Sequence, residues 1–362
     1  MRTTSRTVLG LAFLASFAST RADEPKAPKL APGVRGLVTR APHAVAVDGS
    51  LREWTGAYCT PVQYGHPRPL ERAAQFFTMW DDQAFYIGLR CLDTKQGNSA
   101  PLGATFNGDA VEFYLDTRAG DSLRAKDWST GAIHFYFSAF EGKEIKPRWV
   151  MRKGIATSDV VLKGVEIAAT RTAESYELEF KLPWSNFPDF KPEVGALMAL
   201  DAELCYADGG ARTDRTFAYG SPLSVQQPAS QAKVQLVTSF EPDYLPQVGP
   251  ASFPLWVATP WVQEGRAKVF ATVAVPPAFL PLVGEVEVRA FDADGKLLKT
   301  IPTLVEEFGP KGLGFGRAVA SWSIDDFAPG TYFVTARIVA RTGKTLVTVA
   351  PRMVDEGIIS GR

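Results

Sequence analysis

The sequence predicts an all-β protein built from two sandwich domains. Three observations carry that expectation. Beyond residue 36 the chain is a succession of short runs of alternating apolar and polar residues, broken by Gly, Pro, Asn and Asp, which is the texture of a sandwich or barrel. No helical period of any length interrupts them. The chain has 362 residues, and at roughly 100–200 residues per domain it holds two domains once a leader is removed.

The leader is residues 1–22. Arg2 and Arg6 precede an apolar stretch over 8–18, and Thr20-Arg21-Ala22 is a small-x-small site, so a signal peptide cleaved after Ala22 is expected. The mature protein is then secreted, to a periplasm or outside the cell. The apolar stretch is too short to span a bilayer and no other segment is long enough, so no membrane span is expected. Residues 23–36 (DEPKAPKLAPGVRG) are rich in Pro and charge and read as a mobile linker.

The first domain is assigned to residues 37–240. Its clearest runs are 84–92 (AFYIGLRCL), 110–116 (AVEFYLD), 133–139 (IHFYFSA), 175–182 (SYELEFKL) and 196–206 (ALMALDAELCY). In SYELEFKL, Tyr176, Leu178, Phe180 and Leu182 share one face and Glu177, Glu179 and Lys181 the other, as in a half-buried antiparallel strand that ends at Pro183. The second, smaller domain is assigned to 250–355, with runs at 267–275, 285–291, 318–324 and 330–340. Seven or so strands in about 100 residues, without a Cys-Trp-Cys pattern, predict an immunoglobulin-like or fibronectin type III-like sandwich. Trp322 is expected in its core, and Trp256 and Trp261 against the first domain.

Composition excludes several classes. Lys plus Arg equals Asp plus Glu at 39 each, with no basic stripe, so the electrostatic footprint of a nucleic-acid binder is missing. Cys59, Cys91 and Cys205 allow at most one bridge, and Cys59–Cys91 and a bridge to Cys205 both stay open. With only His43, His66 and His134 and no close Cys or His spacing, no zinc site is expected.

The stretch 108–118, GDAVEFYLDTR, concentrates three carboxylates. Alternation puts Val111, Phe113 and Leu115 on the core face and Glu112, Tyr114 and Asp116 on an outer, wet face, with Asp109 and Asp116 as strand-end residues. Glu112 and Asp116 lie about 13 Å apart along one strand, beyond the roughly 5–9.5 Å of a glycosidase pair. A partner from another strand remains open, since Asp201 and Glu203 share a face in ALDAELCYAD. The oxygen-rich turns at 80–82 and 207–210 hold hard ligands for calcium without the spacing of a known calcium loop.

Five phrases in fixed order carry a resemblance: AVDGSLREW (46–54), MWDDQAFYIGLRCLD (79–93), GDAVEFYLD (108–116), ESYELEFKLPWSNF (174–187) and VGALMALDAELCYADGGARTDRTFAYG (194–220). Over a little more than half its length the chain resembles a family 9 carbohydrate-binding module, a CBM9-like (DOMON-like) β-sandwich. The resemblance implies a sugar clamped between two aromatic rings, with carboxylate, amide and arginine groups on its hydroxyls. Its first clamp aromatic falls on Phe106, its sugar-contacting Glu on Glu112 and its Arg near His134. The second clamp position falls on Val225, which is not aromatic, and Tyr219 is the candidate substitute. A structural calcium is also implied, without a place. The function expected is therefore a secreted, non-catalytic binder of polysaccharide or oligosaccharide, accessory to polysaccharide degradation. The alternatives are a structural or cell-surface interaction protein with a degenerate sugar site, taking a protein partner through the C-terminal sandwich, and an O-glycosyl hydrolase with an unidentified carboxylate pair.

Overall fold

The computed structural model describes residues 30–54, 56–62, 74–138, 148–153, 156–159, 162–173, 175–219, 223–238, 255–263, 266–275, 280–292, 296–308, 315–323, 332–343 and 345–354. The leader, its cleavage site, His66 and the side chains of Cys59, Trp256 and Trp261 lie outside the described residues.

The first unit is one thirteen-stranded sheet. Its strands are β1 (Val34–Arg40), β2 (Tyr58–Val62), β3 (Ala74–Trp80), β4 (Ala84–Leu92), β5 (Ala110–Asp116), β6 (Ala132–Phe137), β7 (Arg148–Lys153), β8 (Ala156–Asp159), β9 (Glu166–Arg171), β10 (Ser175–Pro183), β11 (Leu197–Tyr206), β12 (Asp214–Phe217) and β13 (Ala232–Val237). The order is β8-β7-β6-β5-β11-β13-β1-β3-β4-β10-β9, with β12 paired to β11 and β2 to β3. β1 runs parallel to both β13 and β3, and the other pairs are antiparallel.

The sheet folds over on itself because its apolar sets must meet. Phe113 of β5 packs on Phe180 of β10 with ring centroids 6.3 Å apart, and on Phe76 of β3 at 5.6 Å, although these strands are far apart in the sheet order. Val111, Phe113 and Leu115 join Tyr176, Leu178, Phe180 and Leu182 in this interior, as alternation predicted. β4 and β5 coincide with the predicted runs, and β6, β10 and β11 lie within two residues of theirs.

The outer faces depart from expectation. Glu112, Asp116, Glu179, Asp201 and Glu203 are all buried, as are Asp93 and Asp109 at strand ends. Alternation fixes which way a side chain points, but loops and the N-terminal segment cover the side that was read as wet. The linker reading is corrected for the same reason: Val34–Gly36 belongs to β1, and Leu30 and Val34 are buried against Leu51, Trp54, Phe77 and Met79. Residues 23–29 lie outside the described ones.

Glu179 shows how that cover is held. Its Oε2 accepts backbone N–H bonds from Asp48 (2.7 Å), Gly49 (2.6 Å) and Ser50 (3.2 Å), and its Oε1 accepts from Trp54 Nε1 at 2.6 Å. Gly49 has φ +87, so the Asp-Gly turn that brings these N–H groups together needs a glycine. Trp54 then lies over Gly88 of β4, where an added Cβ would come within 2.9 Å of Leu51 and 3.0 Å of Trp54.

The second unit has two four-stranded antiparallel sheets. Its strands are β14 (Leu255–Gln263), β15 (Arg266–Val275), β16 (Val283–Asp292), β17 (Leu297–Thr303), β18 (Glu306–Phe308), β19 (Phe315–Ser323), β20 (Tyr332–Ala340) and β21 (Thr345–Val354). The sheet orders are β14-β15-β19-β18 and β17-β16-β20-β21. Val273, Ala320 and Trp322 of one sheet share a core with Val286, Val288 and Ile338 of the other. Phe291 is buried with Val34, Trp54 and Val237, and β21 lies against β1 and β2, so the second unit also covers the first sheet.

Cys91 and Cys205 are buried thiols outside any disulfide, so neither the Cys59–Cys91 bridge nor a bridge to Cys205 forms. Glu179→Ala is expected to orphan the N–H groups of Asp48 and Gly49 and the Trp54 indole, while Ser50 N keeps Asp48 Oδ1 at 2.9 Å. At about 1–3 kcal/mol for each buried donor left unsatisfied, the loss exceeds ~2 kcal/mol and lowers the melting temperature by several degrees. A variant melting at the parent temperature would exclude this role.

Candidate functional site

Three strands present the outer face on which the predicted residues fall. The register sets Tyr136 of β6, Glu112 of β5 and Glu203 of β11 in one row, and His134, Tyr114 and Asp201 in the next. Like charges directly opposite destabilise a sheet, so the Glu112–Glu203 pair stands only with compensation. It comes from side chains. His134 Nε2 lies 2.8 Å from Glu112 Oε2, and the Tyr114 hydroxyl lies 2.9 Å from Glu203 Oε2 and 3.2 Å from Glu112 Oε2. Arg215 Nη1 reaches Glu203 Oε1 at 3.3 Å, and Arg212 Nη1 is 3.5 Å from Glu203 Oε1 and 3.7 Å from Glu112 Oε1.

These contacts divide the two carboxylates. Burial acts to raise Glu112, but the His134, Arg212 and Tyr114 contacts outweigh it and hold the group below the ordinary carboxylate range. Burial and the neighbouring Glu112 charge push Glu203 up. Burial also pushes the Cys205 thiol well up, with the Glu112 and Glu203 charges adding to it.

Phe106, Glu112 and His134 do converge. Phe106, on the 3-10 turn Leu102–Asn107, is half-buried and meets Tyr136 edge-on at 5.7 Å, while Arg212 lies over its ring at 5.7 Å. His134 stacks on Tyr114 at 4.6 Å and tilts against Tyr136 at 5.6 Å. Glu112 and His134 are themselves closed off, and the rim is formed by Phe106, Arg212 and Arg215, whose guanidinium side chains are 27% and 40% exposed.

Tyr219 is corrected. It is buried in the sandwich interior, its N–H donates to Asp201 Oδ1 at 3.1 Å, and its ring lies against Gly36, where any Cβ would collide with it. It does not take the second clamp position. Val225 is half-buried against Tyr114 and Trp128, and Trp128 is the ring present beside it. The Trp128 indole donates to Gln226 O at 3.1 Å and lies 6.5 Å from His134. Sequence reasoning missed Trp128 because it sits in the β5–β6 connection, where no strand period marks a face. Arg212 and Arg215 were present in the last family phrase, but only the register shows them returning over β11.

The other buried carboxylates are of a different kind. Asp109 accepts from the N–H groups of Gly97 and Ala207, Asp116 from those of Arg118 and Arg124, Asp201 from those of Ala202 and Tyr219, and Asp93 from that of Lys95. With Glu179, these five pin loops. Among the described residues, Glu112 and Glu203 alone of the seven buried carboxylates make all their bonds to side chains.

The geometry bears on two further chemistries. Oxygens of Glu112 and Glu203 lie within 4.8 Å of each other, close enough for a glycosidase pair. However, the Tyr114 hydroxyl and the Arg212 guanidinium each bridge the two carboxylates. The same two oxygens and the Cys205 sulfur form a set of metal-ligand type, but Arg212 Nη1 stands 3.5–3.7 Å from all three and supplies the positive charge. The turn carboxylates at 80–82 are committed elsewhere: Asp81 accepts from Gln83 N, Ala84 N and Tyr86 Oη, and Asp82 pairs with Arg40. Asp48, Glu53 and Glu179 also bring oxygens within 4.8 Å of one another, but both Glu179 oxygens already accept N–H bonds and Asp48 Oδ1 accepts from Ser50 N.

Residues 53–225 match the family model described as carbohydrate family 9 binding domain-like. The chain is similar to two structures of a family 9 carbohydrate binding module from Caldicellulosiruptor kristjanssonii. The one in complex with cellotriose is 16% identical, with 59% of this chain and 100% of that chain covered and a TM-score of 0.44. The one in complex with glucose is 18% identical, with 58% and 98% covered and a TM-score of 0.43. No curated protein matches the chain. No helix among the described residues is long and apolar enough to cross a membrane.

The buried carboxylates set a pH dependence. Burial pushes Asp201 up to about 7 and Asp109 up to about 6, against an ordinary value of about 3.9 in the unfolded chain. The folded state therefore binds these protons more tightly, and the stability they contribute is full below about pH 4 and lost as pH rises through about 6–7. The melting temperature is expected to fall from roughly pH 5 to pH 8, and to fall less in Asp201→Asn. Parallel curves for parent and variant would contradict the assignment.

Proposed function

Residues 53–225 are a carbohydrate family 9 binding domain-like domain, and from that premise we propose that the chain binds saccharide on the outer face of β5, β6 and β11. The observation that carries this reading is the Glu112–Glu203 pair. A fold uses buried carboxylates to hold its loops, and five do so here. Two opposed carboxylates satisfied only by ionisable and hydroxyl side chains do no such work, and sugar hydroxyls are recognised by groups of that kind. Phe106 offers the apolar surface that a sugar's C–H face requires. Arg212 and Arg215 stand at the rim, where ligand hydroxyls exchange with their contacts to Glu203. Trp128, behind His134, backs the face in place of a ring at Val225.

The finer readings keep the same support. Residues 1–22 direct export, with cleavage after Ala22. The protein is non-catalytic, because the Glu112–Glu203 pair is capped, and accessory to polysaccharide degradation. The unit at 250–355 is immunoglobulin-like: taking its strands as A, B, C, C′, D, E, F and G in chain order, its sheets read ABED and C′CFG.

The saccharide reading is tested by glycan-array and affinity-electrophoresis screens of the full chain with Phe106→Ala beside it. Removing one stacked aromatic costs about 1–3 kcal/mol, so affinity is expected to fall about tenfold or more at an unchanged melting temperature. No retardation of the parent protein on any xylan, cellulose or mixed glycan would sink the proposal.

A further inference from the structure

We propose that the end of β5 away from Phe106 carries a second saccharide subsite, one that accepts a single neutral pyranose unit between the β5–β6 connection and the turn after β10. It rests on the carbohydrate reading above but shares no contact residue with the first site. A cavity of about 370 Å³ lies there, within the roughly 300–1,000 Å³ of small-molecule sites. One wall carries Ser122, Ser129 and Thr130, and the other carries Asn186, Asp189 and Phe190.

The aromatic wall is rigid. Phe190 packs on Trp184 at 5.0 Å, Trp184 packs on Phe85 at 5.9 Å, and the Trp184 indole donates to Asp81 O at 2.8 Å. Phe190 N donates to Phe187 O at 3.0 Å and Phe187 N to Trp184 O at 2.8 Å, so successive turns hold the ring at the cavity. A fixed half-buried ring is a platform for a C–H face, with little further side-chain entropy to lose on binding.

The polar groups decide the ligand's charge. Arg118 is spent: it donates to both Asp116 oxygens, to Asp127 O, to Ala125 O and to Ser129 Oγ. Asn186 is spent on Lys163 and Pro183. The Ser122 and Thr130 hydroxyls and the Asp189 carboxylate have no hydrogen-bond partner among the described residues. Among the described residues the cavity thus has no uncommitted cation for a uronate or phosphate. Two hydroxyls stand opposite a flat apolar ring and one carboxylate lies beside that ring, all three free to bond ligand hydroxyls.

The test is calorimetric and NMR titration of the full chain with cellotriose and xylotriose. The parent protein is expected to bind two equivalents of one probe. The double variant Thr130→Ala, Asp189→Ala changes exposed side chains only, and should lose one equivalent or weaken it at least about tenfold. Phe106→Ala should lose the other, and Phe190→Ala should match the double variant where it folds. Loss of all binding in the double variant with none in Phe106→Ala would keep this subsite and reject the first. Unchanged binding in the double variant, or a single equivalent abolished by Phe106→Ala, would overturn the subsite and keep the first. No binding of either probe would overturn it as well.

Discussion

The first unit is governed by a cost met across its central strands: β5, β6 and β11 are covered on both faces, so carboxylates on them are out of water and need hydrogen bonds from somewhere. Backbone N–H groups of loops are the cheapest donors available, because a loop end has orphans of its own to satisfy. Asp109 joins Gly97 to Ala207, Asp201 joins Tyr219 to Ser224, and Glu179 gathers the turn at Asp48–Ser50 together with Trp54. Each tie fixes a loop against a strand far away in sequence. The cover over the outer face and the charge beneath it are therefore one arrangement, and neither is stable without the other.

Against that pattern Glu112 and Glu203 are exceptions, and the exception is physically informative. Directly opposed carboxylates cost free energy, and a fold that needed only a buried surface would place apolar residues there. The pair is kept with two guanidiniums, an imidazole and a phenol around it. Arg212 balances the pair while remaining partly in water, and it leans on Phe106. A ligand hydroxyl that takes over one of these bonds leaves no buried group orphaned, so exchange at the rim is less costly than breaking any of the loop ties.

How much of this was legible beforehand follows from what a period can encode. β4 and β5 were readable to the residue because AFYIGLRCL and AVEFYLD place interior side chains at alternate positions. β9 is lightly buried and β12 is only four residues long, and neither gave such a signal. The same alternation misassigned Glu112, Asp116 and Glu179 to water, since it gives direction and not cover. Phe106, Glu112 and His134 were locatable as a set only through the order of the phrases around them. Trp128 and the return of Arg212 over β11 depend on tertiary closure, and Tyr219 was drawn inward by the Asp201 tie, which the local sequence does not announce.

The β5–β6 connection shows how that closure shapes chemistry. Asp116 and Arg118 form a two-oxygen ion pair at its base, and the same guanidinium binds the carbonyls of Ala125 and Asp127 and the hydroxyl of Ser129. One side chain thus fixes the loop from the inside, and Trp128 anchors it to Gln226. Within that frame neighbouring residues face different ways: Trp128 backs His134, while Ser129 and Thr130 line the cavity against Phe190. A loop held this firmly loses little entropy when a ligand arrives. Its two sides are then mechanically joined, so the wall on one side is set by the packing on the other.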